Sequence, residues 1–164
     1  MDARTLLSQQ WASCLDKEDW FPPLEWVLEK ITFEQALWKP DEGAMNSIWE
    51  IVCHLLFFEK RYLMRFLGET ANEPQAKNNT DTFRLPTETI ENWEKTKQEY
   101  FSVHRKLGQI LATADQEDLY REVPGEDNSL VLELKSLAMH DAYHIGQIVL
   151  ISKLQGAWPE ERSF

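Results

Sequence analysis

The sequence predicts an all-α protein built as a four-helix bundle. Three observations carry this: four long stretches whose apolar residues recur at helical spacing, no strand-like alternation of useful length, and one long polar crossover between two of those stretches. At 164 residues, with only 6 Gly and 7 Pro, the chain suits one compact domain over residues 1–164 and shows no internal repeat.

Between Asp2 and Asp16, Leu6, Leu7, Trp11 and Cys14 or Leu15 recur at helical spacing, and Pro22-Pro23 ends the pattern. This predicts an extra short N-terminal helix followed by a bend. Pro23 suits a helix first turn, so PPLEWVLEKI is a second helical piece, and Thr32 with Gln35 makes a capping-box spacing for a turn near TFEQAL. KPDEG is loop. Asn46 is the expected cap of SIWEIVCHLLFFEKRYLMRFL, which is apolar around most of its circumference and stops at Gly68. Residues 69–86 are polar and aperiodic, a long connection. After Pro86, TETIENWEKTKQEYFSVHRKLGQILATA keeps Ile90, Trp93, Lys97, Tyr100 or Phe101 and Leu107 near one face. The segment DQEDLYREVPGED contains Pro124 and Gly125 and cannot extend that helix. Asn128 or Ser129 then caps LVLELKSLAMHDAYHIGQIVLISKLQ, which stops at Gly156.

Composition narrows function. With 43% hydrophobic and 12% aromatic residues the chain has a core, so its net charge of −11 decorates a folded surface. That charge offers no basic stripe for displacing counterions from nucleic acid. No apolar run approaches the roughly 20 residues of a membrane span, and no secretory leader pattern opens the chain, so a soluble, unexported protein is expected. Two cysteines, Cys14 and Cys53, form no CxxC pair and fit a reducing cytoplasm.

Two of the four histidines stand four residues apart in LAMHDAYHIGQIVLI. At 100° per residue His140 and His144 lie about 40° apart, and Gln147 joins their face about 20° to the other side of His140. His54 lies in the apolar helix after Asn46, with Glu50 and Arg61 within about 40° of it. A buried, unpaired imidazole loses hydration without compensation. Core hydrogen bonds to carbonyls or carboxylates would answer that need, and so would a shared divalent ion. An i, i+4 pair supplies two ligands, and an imidazole from a facing helix could complete a set with open positions. Spacing alone does not bring His54 to the other two. His104, among Arg105 and Lys106, is expected as a surface residue. A di-iron bundle needs Glu-x-x-His, but the residues three before His54, His140 and His144 are Ile51, Leu137 and Asp141. A zincin needs His-Glu-x-x-His, and here the second residue is Asp141.

These residues carry a family resemblance. SIWEIVCHLLFFEK (Ser47 to Lys60) and HDAYHIGQI (His140 to Ile148), supported by ITFEQALWKPDEGAMN and VPGEDNSLVLELKSLAMH, resemble the DinB family, which includes YfiT-like proteins and bacillithiol S-transferases. The likeness runs from about Trp20 to Gln155. It implies a DinB-like bundle in which His54, His140 and His144 bind a divalent metal, nickel or zinc foremost and iron as an alternative. It further implies a cytoplasmic homodimer and a metal-dependent thiol S-transferase joining a low-molecular-weight thiol to small electrophiles. A YfiT-like hydrolase and a non-enzymatic binding protein are the alternatives. Glu50, Asp141 and Gln147 are candidates for holding ligand imidazoles or substrate, and Arg61 for meeting a carboxylate of the thiol.

Overall fold

The computed structural model of the chain describes residues 2–41 and 43–159. Among them seven α-helices follow in order: α1 (Ala3–Leu15), α2 (Leu24–Leu28), α3 (Phe33–Leu37), α4 (Ile48–Phe66), α5 (Ile90–Thr113), α6 (Gln116–Tyr120) and α7 (Leu130–Leu154). The architecture is all-α, as the periodicity predicts. The N-terminal helix is no addition to the bundle: α1 packs on α5 and α7, and α4 packs on the same two, so α1, α4, α5 and α7 close a four-membered ring. The KPDEG loop is irregular where it is described, and Glu42 within it lies outside the described residues.

Local chemistry sets the helix ends. Thr32 and Gln35 form the expected capping box at α3. At α4 the cap is Ser47, one residue later than Asn46. The Ser47 hydroxyl accepts from the Glu50 amide at 3.2 Å and the Glu50 carboxylate accepts from the Ser47 amide at 2.7 Å. This Ser-x-x-Glu pairing satisfies two orphan N–H groups at once, which a cap at Asn46 would not. Ser129 occupies the cap position of α7 without a side-chain cap bond, while the Asn128 amide donates to Glu133 at 2.7 Å. Gly68 and Gly156 close α4 and α7 with φ of 74° and 71°, the left-handed region that a Cβ disfavours.

Side-chain pairs establish the directions. Trp49 donates to Thr96 and Lys60 pairs with Glu99, so α4 and α5 run parallel. Arg4 reaches the Ala114 carbonyl while Trp11 meets His104, so α1 runs against α5. Tyr62 and Arg65, near the end of α4, meet Glu126 just before α7, so these two are antiparallel. Parallel α4 and α5 explain the crossover. The chain must travel back along the 19 residues of α4, about 28 Å at 1.5 Å per residue, before α5 begins. Two 3₁₀ turns, Thr70–Asn72 and Asn79–Phe83, lie along that path and pack on α4.

The core runs through the ring, with Trp49, Trp93, Tyr100, Leu55, Leu107, Leu134 and Ile145 among its fully buried side chains. Replacing Ser47 with Ala removes the side-chain half of the α4 capping box. The expected loss is about 1 kcal/mol, read as a lower urea midpoint with an unchanged slope; an unchanged midpoint would show that α4 does not depend on this cap.

Candidate metal centre

The fold brings His54 on α4 to His140 and His144 on α7. Ring centroids lie 4.9 Å apart for His54 and His140, 4.8 Å for His54 and His144, and 4.6 Å for His140 and His144. One ligand atom from each falls within 4.8 Å of the others. His54 and His144 are 4% and 6% exposed, and the His140 side chain is 29% exposed, which makes it the rim of the cluster.

Hydrogen bonds orient two of the rings. The Thr82 hydroxyl donates to the Asn79 carbonyl at 2.6 Å, so it accepts from His54 Nδ1–H, also at 2.6 Å. A hydroxyl has only one proton to give. His54 Nε2 is therefore the bare nitrogen, and it faces His140 Nε2 at 3.0 Å. On α7 the Gln147 amide oxygen accepts from His144 Nδ1–H at 2.7 Å while its NH₂ donates to the Tyr143 hydroxyl at 2.9 Å. His144 Nε2 is thus bare as well. Phe83 stacks on His54 at 4.0 Å and Phe58 meets it edge-on at 4.9 Å. Burial pushes the His54 imidazole down to about 3, with His140 and His144 adding to the effect, and burial also lowers His144. Both rings are therefore neutral, the form in which imidazole binds a metal.

The donor set fits a divalent ion. Two nitrogens bound to one ion at about 2.0–2.1 Å stand roughly 3.0 Å apart at a right angle and roughly 3.4 Å at the tetrahedral angle. The 3.0 Å between His54 and His140 falls at the near end of that range. No carboxylate, among the described residues, joins this group of donors.

Behind His140 lies a second group that the sequence reading missed. His104 is 1% exposed, Glu59 and Asp141 are 0% exposed, and their ligand-type atoms also fall within 4.8 Å of one another. His104 is therefore a core residue. The expectation of a surface position followed its neighbours Arg105 and Lys106, yet His104 stands four residues after Tyr100 and three before Leu107, on the apolar face. The same arithmetic places Glu59 between Leu55 and Leu63 on the inner face of α4. Thr82, in an aperiodic loop, offers no comparable signal. His104 Nε2–H donates to the Trp11 carbonyl at 3.1 Å, and its Nδ1 lies 2.6 Å from Glu59 Oε1. Burial pushes Glu59 up to about 8, and burial with the neighbouring Glu59 charge pushes Asp141 up to about 7.

The other predicted residues divide. Gln147 touches the His144 imidazole directly, and Asp141 Oδ1 lies 3.8 Å from His140 Nδ1. Glu50 does not reach the histidines, because its carboxylate is held by the Ser47 amide and by Lys39 at 2.6 Å. Arg61 lies 3.5 Å from Glu73, so an acidic partner already faces its guanidinium. Cys53 stands outside the cluster of donors, its thiol pushed up to about 12 by burial.

Comparison with known families matches residues 23–148 to the DinB superfamily. The chain belongs to that superfamily. No curated protein and no solved structure matches it. The superfamily match spans α2 through most of α7 and includes all three histidines; α1 lies outside it.

The buried carboxyls give a pH dependence. Glu59 and Asp141 hold protons in the folded chain at a pH where the unfolded chain has released them, so their stabilising contribution is complete below the unfolded value of about 4 and is lost as pH rises through about 7 and 8. Metal-free protein should therefore have a lower urea midpoint at pH 8.5 than at pH 6.5, and Glu59→Gln should flatten the difference. A midpoint that rises over this interval would refute the assignment.

Proposed function

We propose that this DinB-superfamily protein binds a divalent metal ion through His54, His140 and His144 and uses it to transfer a low-molecular-weight thiol to a small electrophile. The observation that carries this reading is the all-imidazole donor set, with the bare nitrogens of His54 and His144 fixed by Thr82 and Gln147. Three neutral ligands would leave a bound ion its full positive charge, which lowers the pKa of a coordinated thiol and holds it as thiolate at neutral pH. Nickel, zinc and iron all suit such ligands.

The chain's own groups would do the rest. His54 and His144 stay neutral because their surroundings disfavour the protonated form. Phe58 and Phe83 cover one side of the His54 ring and limit water there. His140, the most exposed of the three, marks the side from which substrates would arrive. A hydrolase of the same superfamily would need a base beside an ion-bound water. The nearest carboxylate, Asp141, is fully buried and lies on the Nδ1 side of His140, away from the nitrogen that faces His54, which favours thiol transfer. The reading extends to a cytoplasmic homodimer.

Metal analysis of purified protein should find close to one ion per chain, and His140→Ala should lose most of it while remaining helical by circular dichroism. The loaded protein should conjugate bacillithiol or glutathione to a generic electrophile, and chelation should abolish the reaction. Stoichiometric metal without any conjugate would leave a binding protein or a hydrolase; no metal in the wild type would overturn the site itself.

A further inference from the structure

The Asp141 carboxylate is fully buried and stands between two imidazoles, Oδ1 3.8 Å from His140 Nδ1 and Oδ2 3.7 Å from His104 Nδ1. Neither oxygen has a hydrogen-bond partner at these distances. His104 itself is locked. Trp11 stacks on it at 4.1 Å, the Trp11 carbonyl takes its Nε2–H, and the Trp11 indole N–H donates to the His104 carbonyl at 3.0 Å. With Nε2 committed as a donor, the 2.6 Å contact between His104 Nδ1 and Glu59 Oε1 must contain one proton, shared by that pair. The remaining Glu59 oxygen is buried and unpartnered, and the carboxyl as a whole faces Asp141 and the Tyr100 hydroxyl. The Glu59 and His104 pair has no protein donor left to give Asp141.

We propose that Asp141 is a positioning residue of the metal centre, its Oδ1 accepting the Nδ1–H of a metal-bound His140, and that Glu59 and His104, bonded to each other and offering Asp141 no donor of their own, leave it to that contact. His54 and His144 are backed by neutral oxygens, from Thr82 and Gln147, whereas His140 alone is backed by a carboxylate. A carboxylate partner strengthens an imidazole as a ligand and fixes its orientation. A bound cation supplies the positive charge that the buried carboxylate lacks. Through Trp11 the chain of contacts also ties α1, which lies outside the superfamily match, to the site.

This inference rests on the metal reading above and is separable from it. Cobalt(II) titration of the full-length protein gives both an affinity and a visible spectrum that reports the ligand field. Asp141→Asn should weaken cobalt binding by about 10- to 100-fold and shift the absorption band, and Glu59→Gln should act in the same direction by about tenfold. Melting of the metal-free variants supplies a readout that a packing role would move the other way. Replacing a buried carboxyl whose oxygens have no hydrogen-bond partner by an amide of the same shape should leave the Asp141→Asn midpoint unchanged or higher, whereas a residue that served only the core would lower it. Wild-type binding with unchanged affinity and spectrum in both variants overturns the positioning role alone. A wild type that binds no cobalt overturns the metal reading and this inference with it.

Discussion

The antiparallel packing of α4 against α7 is the constraint on which the rest of the site depends. Both helices must turn an apolar face inward, and both place ionisable groups on it: His54 and Glu59 from α4, Asp141 and His144 from α7. Buried polar groups without partners cost several kcal/mol, so this seam holds together only if each is neutralised, hydrogen-bonded or ligated. The chain answers in two different ways within one turn of helix. The three histidines bring one nitrogen each within 4.8 Å of the others, while Glu59, His104 and Asp141 are sealed in the core, with one Glu59 oxygen and both Asp141 oxygens lacking a hydrogen-bond partner.

The crossover between α4 and α5 serves this arrangement as well as the topology. Because α4 and α5 run parallel, the chain must return along the bundle, and that path delivers Thr82 and Phe83 to His54. A short hairpin between antiparallel helices would leave His54 Nδ1 without its hydroxyl partner and its ring without its stacking face. The polar composition of residues 69–86 marks a connection, and the packing of the Asn79–Phe83 turn on α4 makes it part of the site.

The electrostatics of the two groups differ in kind. Around His54 and His144, burial suppresses positive charge and leaves neutral donors, the condition for binding a cation. Around Glu59 and Asp141, burial suppresses negative charge and holds protons, so the carboxyls resist ionisation until a counter-charge arrives. A positive ion at the rim would act on both, since His140 and Asp141 are neighbours in sequence and face one another in space. The Thr82 and Gln147 contacts carry no charge, so His140 is the imidazole through which that coupling would pass.

Helical periodicity determined by itself that the chain is all-α, where most helices begin and end, and that His140, His144 and Gln147 share a face, because each of these follows from interactions within a few residues. The superfamily resemblance added His54. Local patterns alone place the start of α4 one residue early, where a reciprocal Ser47 and Glu50 pair outcompetes Asn46, and they put His104 on the surface, where the charge of Arg105 and Lys106 masks its place on the apolar face. Glu50 was nominated by its angle from His54, and the same capping box withdrew it. Tertiary structure alone decided that α1 completes the ring, that Thr82 reaches His54, and that Glu59, His104 and Asp141 meet behind His140. Those contacts join residues 28 to 93 positions apart, and no local spacing encodes which helix a buried side chain will face once the bundle closes.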